Sequence, residues 1–461
     1  MSKKQATPLF NDFPPVSAKA WKQKIQYDLK GADYNTELLW TSREGIHVKP
    51  FYHREDLEET LPATGTITSW KIGQSMYAGN AKSANKRALK GLENGVEVLD
   101  FTIPDIEVKP EALLRDVDLE KIPVSFQFQF LSGSYITSLL KSVGKGTSNL
   151  QLNIDIIGNL ARTGNWFHNL NKDHEELEVL LQTGADTILS IDTTLYENAG
   201  ADMVQQLGYG LAHAHEYVQH LYDKGLLNKL GRVTFKVSVG GNYFFEIAKL
   251  RALRLLWKTL MEDYGLTADC HIVAEPSKRN KTLYDYNMNM VRTSAECMSA
   301  ILGGAEVVFN HPYDKIYHKD NGFSSRIALN QLLILKEEAY FNSVHNPADG
   351  AYYIASLTAQ LAEKALELFK SVEREGGFLR QLKNGTVQQK IKEAANKQQA
   401  EFDTGRQVLV GTNKFITGSD RMKADLELYP FVKTRSRKTL TVPIIESRLA
   451  EAMEQKRLND E

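Results

Sequence analysis

The sequence predicts an α/β protein: a (β/α)8 barrel of the TIM type, with an N-terminal arm and a short helical C-terminal extension. Three observations predict it. From about residue 65 onward, short strand-like runs are followed by long amphipathic runs, and repeated strand-then-helix order means a parallel sheet. Around eight such units fill roughly 300 residues, the usual span of a closed barrel. An open doubly wound sheet would carry a Gly-rich phosphate turn after its first strand, yet neither G-x-G-x-x-G nor G-x-x-x-x-G-K-[ST] occurs.

The elements follow in order. Residues 1–40 read as an irregular arm broken by Pro8, Pro14 and Pro15, with a short helix over Ala18–Leu29. An arm of this length needs a surface to lie on, either a partner's or its own barrel. Strand candidates are Val96–Phe101, Val124–Phe130, Leu150–Ile156, Thr187–Asp192, Val233–Val239, His271–Glu275 and Ala305–Asn310. Helical patterns lie at Ala81–Glu93, Glu175–Gln182, Ala201–Lys224, Phe244–Tyr264, Thr282–Leu302 and Ser325–Ala339. A long helix, Ile354–Glu375, ends at Gly376-Gly377, a suitable C-cap. Val387–Phe402 is a further helix, Arg406–Phe415 a strand-and-turn element, and Glu446–Glu461 a densely charged amphipathic helix. The chain therefore divides into an arm (1–40) for subunit contact, a barrel (41–400) and an extension (401–461).

Composition narrows the function. The 461 residues carry a net charge of −1 with no basic block, which argues against nucleic acid as a partner. No apolar run of about 18 residues occurs, so no segment is expected to cross a membrane. The N-terminal lysines are not followed by an apolar segment, so no signal peptide is expected and the cytoplasm is the default. Cys270 and Cys297 have no clustered ligand partners and read as buried thiols.

Several strand candidates alternate strictly. VSFQFQF, LQLNIDI and FKVSV put Ser125, Gln127, Gln129, Gln151, Asn153, Asp155, Lys236 and Ser238 on polar faces. In a helix-wrapped barrel the apolar face must point outward, so these side chains should point inward, where most barrels hold Val, Ile and Leu. Such an interior takes water or a threaded polar ligand. A one-sided antiparallel sheet is the competing reading, opposed by the long intervening helices. Asp100, Asp155, Asp192, Glu275 and Asn310 fall at strand C-terminal ends, where barrel active sites collect, although such residues also cap helices. His213, His215 and His220 in GLAHAHEYVQHL miss the H-E-x-x-H zinc spacing by one residue and read as a polar helix face. Asp269-Cys270-His271 has Ala274 where a cobalamin-binding D-x-H-x-x-G loop needs glycine, so His271 reads as the start of a strand.

Trp70–Asn85, WKIGQSMYAGNAKSAN, resembles the active-site segment W-T-I-R-Q-Y-A-G-F-S-T-A-K-E-S-N of the methylmalonyl-CoA mutase family. Gly240–Trp257, Asn289–Gly304, Ser324–Glu338 and Asn346–Thr358 are similar to further long motifs of that family. The segment FNDFPPVSAKAWKQKIQYDLKGADY looks like the small-subunit type. In these registers the family's catalytic tyrosine falls on Ser75 and its CoA-tail arginine on Gly73. Its catalytic histidine falls on Leu195, beside Thr194 at a tyrosine position. Its thioester-contacting histidine falls on Val273 and a glutamine on Glu275, with the serine kept at Ser277. Leucine and valine offer no hydrogen bond, so that chemistry is lost.

The resemblance therefore implies a small, non-catalytic subunit of a heterodimeric mutase that interconverts succinyl-CoA and methylmalonyl-CoA. Isomerase activity is expected of the complex, with this chain alone inactive and lacking catalytic, cofactor-binding and metal-binding residues. Adenosylcobalamin is expected on a larger homologous catalytic subunit, and the chain is expected to stop before any cobalamin domain. Two alternatives stay open: a free-standing acyl-CoA mutase barrel working with a separate cobalamin-domain chain, and a CoA-ester-binding regulatory module.

Overall fold

The computed structural model describes residues 12–56, 69–144, 149–185, 187–268, 270–433 and 437–461. Pro8 and the start of the arm, and Asp269 of the D-x-H triplet, lie outside the described residues. The arm opens with α1 (Ala18–Asp28), whose N-terminus is capped by Ser17 Oγ, which accepts from the Ala20 N–H. Next comes α2 (Tyr34–Leu38), then a small antiparallel ribbon of β1 (Trp40–Thr41) and β2 (His47–Val48).

Eight parallel strands then close into a barrel, each hydrogen-bonded to the next in sequence, with the last paired to the first. They are β3 (Lys71–Tyr77), β4 (Val98–Ile103), β5 (Val124–Phe128), β6 (Leu150–Ile154), β7 (Thr187–Asp192), β8 (Val233–Val239), β9 (Cys270–Pro276) and β10 (Val307–Phe309). The intervening helices are α3 (Ala81–Glu93), α4 (Pro110–Leu113), α5 (Gly133–Val143), α6 (Ile156–Thr163), α7 (Leu170–Leu181), α8 (Thr194–Asn198), α9 (Met203–Asp223), α10 (Tyr243–Asp263) and α11 (Met288–Leu302). After β10 come α12 (Gly322–Leu333), α13 (Tyr352–Arg374), α14 (Phe378–Asn384), α15 (Thr386–Asp403) and α16 (Glu451–Asp460).

Strand parity sorts the buried residues into two clusters. Ile72, Leu99, Phe101, Phe126, Leu152, Phe235 and Ile272 point outward and belong to one large core with the helices. Val98, Val273, Val307 and Phe309 form a separate cluster on the inner face. The polar alternates of β5, β6 and β8 also face inward, as expected from LQLNIDI and its neighbours. The interior is thus divided between a polar half, where the sequence reading put the inward faces of β5, β6 and β8, and an apolar plug that it did not anticipate.

Other departures have local causes. β3 escapes strand recognition because Gly73, Gln74 and Ser75 interrupt any apolar run. Leu150–Ile156 is shorter as a strand because Asp155 caps α6, accepting from the Gly158 N–H at 2.8 Å. The helix expected from Thr282 starts only at Met288, because Asn289 folds the preceding turn by accepting from the Thr282 N–H. α12 ends in a π-helical turn, Ile334–Glu338, within which Lys336 is buried 2.6 Å from Glu97. Arg406–Phe415 forms only an isolated bridge, Val410 to Lys414, and no strand. Glu446–Ala450 is not helical, because this strap bonds to the barrel rim: Ser447 N–H donates to Asn198 O and Leu449 N–H to Arg279 O.

Phe235 is fully buried, with its ring edge-on to Trp257 at 5.2 Å between centroids. Phe235→Ala should cost about 3–5 kcal/mol in denaturant unfolding; a loss below about 1 kcal/mol would mean that this wall–helix layer is not packed as described.

Candidate functional site at the barrel mouth

The plug decides what the interior can admit. Gly73 lies under the Phe309 ring: a Cβ at position 73 would sit 2.5 Å from that ring, well inside contact distance. Val273 packs in the same cluster. Opposite the plug, Asp100 accepts hydrogen bonds from Ser75 Oγ (2.9 Å) and Ser125 Oγ (2.7 Å). Asn153 Nδ2 donates to Ser125 Oγ at 2.6 Å. Asn153 has φ 45°, where the β6–β7 register shifts; asparagine tolerates this left-handed geometry better than most residues. Lower in the barrel, Gln151 and His271 meet at 3.2 Å, and burial pushes the His271 imidazole down to about 3, so it is neutral.

Toward the mouth, Lys236 Nζ lies 3.5 Å from Glu275 Oε2 on the adjacent strand. Burial alone would raise the Glu275 carboxyl, but Lys236, His311 and Lys278 together outweigh it and hold the group well below its ordinary range. Burial likewise opposes the Lys236 charge, and the Glu275 and Asp100 carboxylates more than restore it. A lysine held protonated in this way is no amine nucleophile. His311 Nε2 faces the other side of Glu275 at 3.7 Å, too far for a hydrogen bond.

The rim is a second network. Asp155 accepts from the Asp192 N–H (2.9 Å) and Tyr217 Oη (2.8 Å), and meets His213 Nε2 at 2.9 Å. Burial raises this carboxyl, while His213 and the hydrogen bonds bring it below its ordinary value. His213 Nδ1 in turn meets Tyr196 Oη at 2.9 Å. The expectation of a polar helix face is therefore corrected at His213, which is fully buried behind the rim. His215 and His220 pair with Glu373 and Glu178. Arg162 bridges Asp192 (2.7 Å) and Glu446 of the strap (3.5 Å).

Ser75, Asn153, Asp155, Arg162, Lys236 and Glu275, among others, line a cavity of about 1080 Å³ that opens at the strand C-terminal ends. Of the sequence candidates, Ser75, Gly73, Asp155, Asp192, Glu275 and Asn310 line it, while Asp100 lies beneath. Leu195 does not reach it: α8 carries Leu195 into the outer core, where it is buried. Ser277 sits under the rim, donating to Glu197 at 2.7 Å. The partners that sequence reasoning missed are Phe309, Arg162 and His311. Of these, only Arg162 is charged, and nothing in the local pattern marks its role. Among the described residues no group of three His, Cys, Asp or Glu side chains is placed to hold a metal ion. Cys270 and Cys297 are both buried.

Residues 102–459 match the model of the methylmalonyl-CoA mutase family. The chain is 34% identical over 442 residues to the methylmalonyl-CoA mutase small subunit of Porphyromonas gingivalis, a match that covers 89% of this chain and 72% of that one. It is 27% identical to the small subunit of Streptomyces virginiae, again covering 89% and 72%. It is 29% identical to the methylmalonyl-CoA mutase of Cereibacter sphaeroides, covering 86% of this chain and 64% of that one.

Lys236→Met should strand Glu275 as a lone buried charge and lower stability by about 3–5 kcal/mol. Adding Glu275→Gln should restore most of the loss, and simple additivity in this double-mutant cycle would show that the two do not interact. Burial pushes the Glu197 carboxyl up to about 7, with Lys249 opposing and Glu246 adding to the rise. A carboxyl raised on folding keeps its proton longer in the native state. Stability is then greatest below its ordinary pKa and declines as pH rises through about 7. Glu197→Gln should flatten the fall in melting temperature between about pH 5 and 7.5; parallel melting curves for the two proteins would contradict this.

Proposed function

Because the chain belongs to the methylmalonyl-CoA mutase family, we propose that it is the non-catalytic small subunit of a heterodimeric adenosylcobalamin-dependent methylmalonyl-CoA mutase. The observation that carries this is the Phe309 ring over Gly73, together with Val273 in the same plug. A polar chain threaded along the axis would have to displace that packed apolar cluster, and no residue at 73 could reach out to hold it. Ser75 serves Asp100, and Leu195 serves the core.

The rim does not fit a corrin cofactor. The Leu195 side chain is packed inside, and the rim's Asp155, Asp192, Lys236 and Glu275 are engaged with one another or with neighbouring groups. In this reading the larger catalytic subunit holds adenosylcobalamin and supplies the radical chemistry that interconverts succinyl-CoA and methylmalonyl-CoA.

The N-terminal arm supports a partner. α1 buries none of its residues in this chain, and Trp21 (52%) and Tyr27 (80%) stand exposed. Aromatic side chains left in water on an arm are what an interface covers. Among the described residues no helix is long and apolar enough to cross a membrane, and the reading places the complex in the cytoplasm.

Tagged chain co-expressed with a cobalamin-domain-bearing homologue should recover it one-to-one. The isolated chain given adenosylcobalamin and succinyl-CoA should form no methylmalonyl-CoA. Turnover by the isolated chain would overturn the proposal.

A further inference from the structure

Past α15, residues 407–416 fold into a tight turn that takes no part in the mouth cavity. Its base is fixed by hydrogen bonds. Asn413 Oδ1 accepts from the Leu409 N–H at 2.8 Å, and Asn413 Nδ2 donates to Phe402 O (2.9 Å) and Gln407 O (2.8 Å). The Gly411 N–H donates to Lys414 O at 2.8 Å, and Arg292 of α11 donates to Val410 O at 2.7 Å. Leu409 is buried in a small cluster with Phe402, Leu449 and Ala450.

This base presents Phe415 and Ile416 outward, 71% and 54% exposed. Phe415 has φ 57°. A bulky residue rarely takes that left-handed geometry, which glycine adopts without strain. The fold makes no use of the ring in return. Among the described residues it joins none of the apolar clusters, and the cation it meets is its own neighbour, the Lys414 ammonium at 5.3 Å. Backbone strain of this kind gathers where a protein binds something. An aromatic held ready on a rigid base also has the form of an interface hot spot, because little freedom is left to lose on contact.

The neighbouring surface indicates what covers it. Arg43, between the strands of the β1–β2 ribbon, ties the turn to the N-terminal arm. Its Nη2 donates to Gln407 Oε1 at 2.9 Å, and its Nε lies 2.8 Å from Glu401 of α15. The arm has exposed aromatics of its own in Trp21, Tyr27 and Trp40. With Val410, Phe415 and Ile416 they leave on the order of 700 Å² in water, close to the about 800 Å² that each partner gives to a stable pair. Arm and turn together thus suit a folded protein partner rather than a short peptide.

We propose that Phe415 is an anchor of this chain's contact with the larger catalytic subunit, on a face that includes both the arm and the turn after α15. The inference rests on the subunit reading and adds a named anchor to it.

Co-expression of the tagged chain with the cobalamin-domain-bearing homologue tests it. Phe415→Gly should recover at least tenfold less of the larger chain than the parent does. The same variant should melt no lower than the parent, because glycine relieves the backbone. Phe415→Tyr should recover the larger chain as the parent does. Recovery by Phe415→Gly equal to the parent's, or a melting temperature several degrees lower, would overturn the anchor and leave the subunit reading standing. A parent that recovers no larger chain would overturn both. Phe415-dependent pelleting of the isolated chain with phosphatidylserine vesicles would overturn the anchor in favour of a lipid surface.

Discussion

The fold depends on one constraint: in a closed parallel barrel, alternate residues of each strand have nowhere to go but inside. Outward residues build the large core with the helices, and inward residues must satisfy one another or bind something. In this chain many of them satisfy one another, while Asn153 Oδ1 and Thr234 Oγ1 stay buried without a partner among the described residues. Phe309, Val273, Val98 and Val307 exclude water on one side. Asp100, with its serine donors, and the Lys236–Glu275 pair occupy the other. The apolar plug needs glycine at 73, and the buried lysine needs a carboxylate one strand away. These are coupled choices, in which each residue makes sense only beside its partner.

The rim extends the same logic outward. Asp155 caps a helix, holds the backbone of β7 and anchors His213. Arg162 carries that order to the C-terminal strap through Glu446. Such a mouth is an integrated structural element, and its carboxylates serve the fold before any reaction. This is why polar residues at strand ends, so often catalytic in barrels, are not evidence of catalysis here.

Much of the architecture was legible in the sequence, because period and order are local signals. The alternation in LQLNIDI and FKVSV gave the parity of β6 and β8, and α3 was bounded correctly at Ala81 and Glu93. β3 was not legible, since its glycine and polar residues erase the apolar run. α6 was missed because it is short and its apolar start reads as a continuation of the strand before it. At the site, the positions of Ser75, Gly73 and Glu275 were legible. Their partners were not: Lys236 and Glu275 meet only through strand register, and nothing near Gly73 announces a phenylalanine some 230 residues later. Leu195 was read as a lost mouth residue, yet its place in the core depends on α8, which no periodicity marks.

The most direct test of the central claim is a crystal structure of the purified chain soaked with succinyl-CoA. An interior plugged by Phe309 and Val273 predicts the Phe309 ring over Gly73 and no acyl or pantetheine density along the barrel axis. A thioester threaded past Gly73, with Phe309 swung aside and the Lys236–Glu275 pair opened, would contradict it.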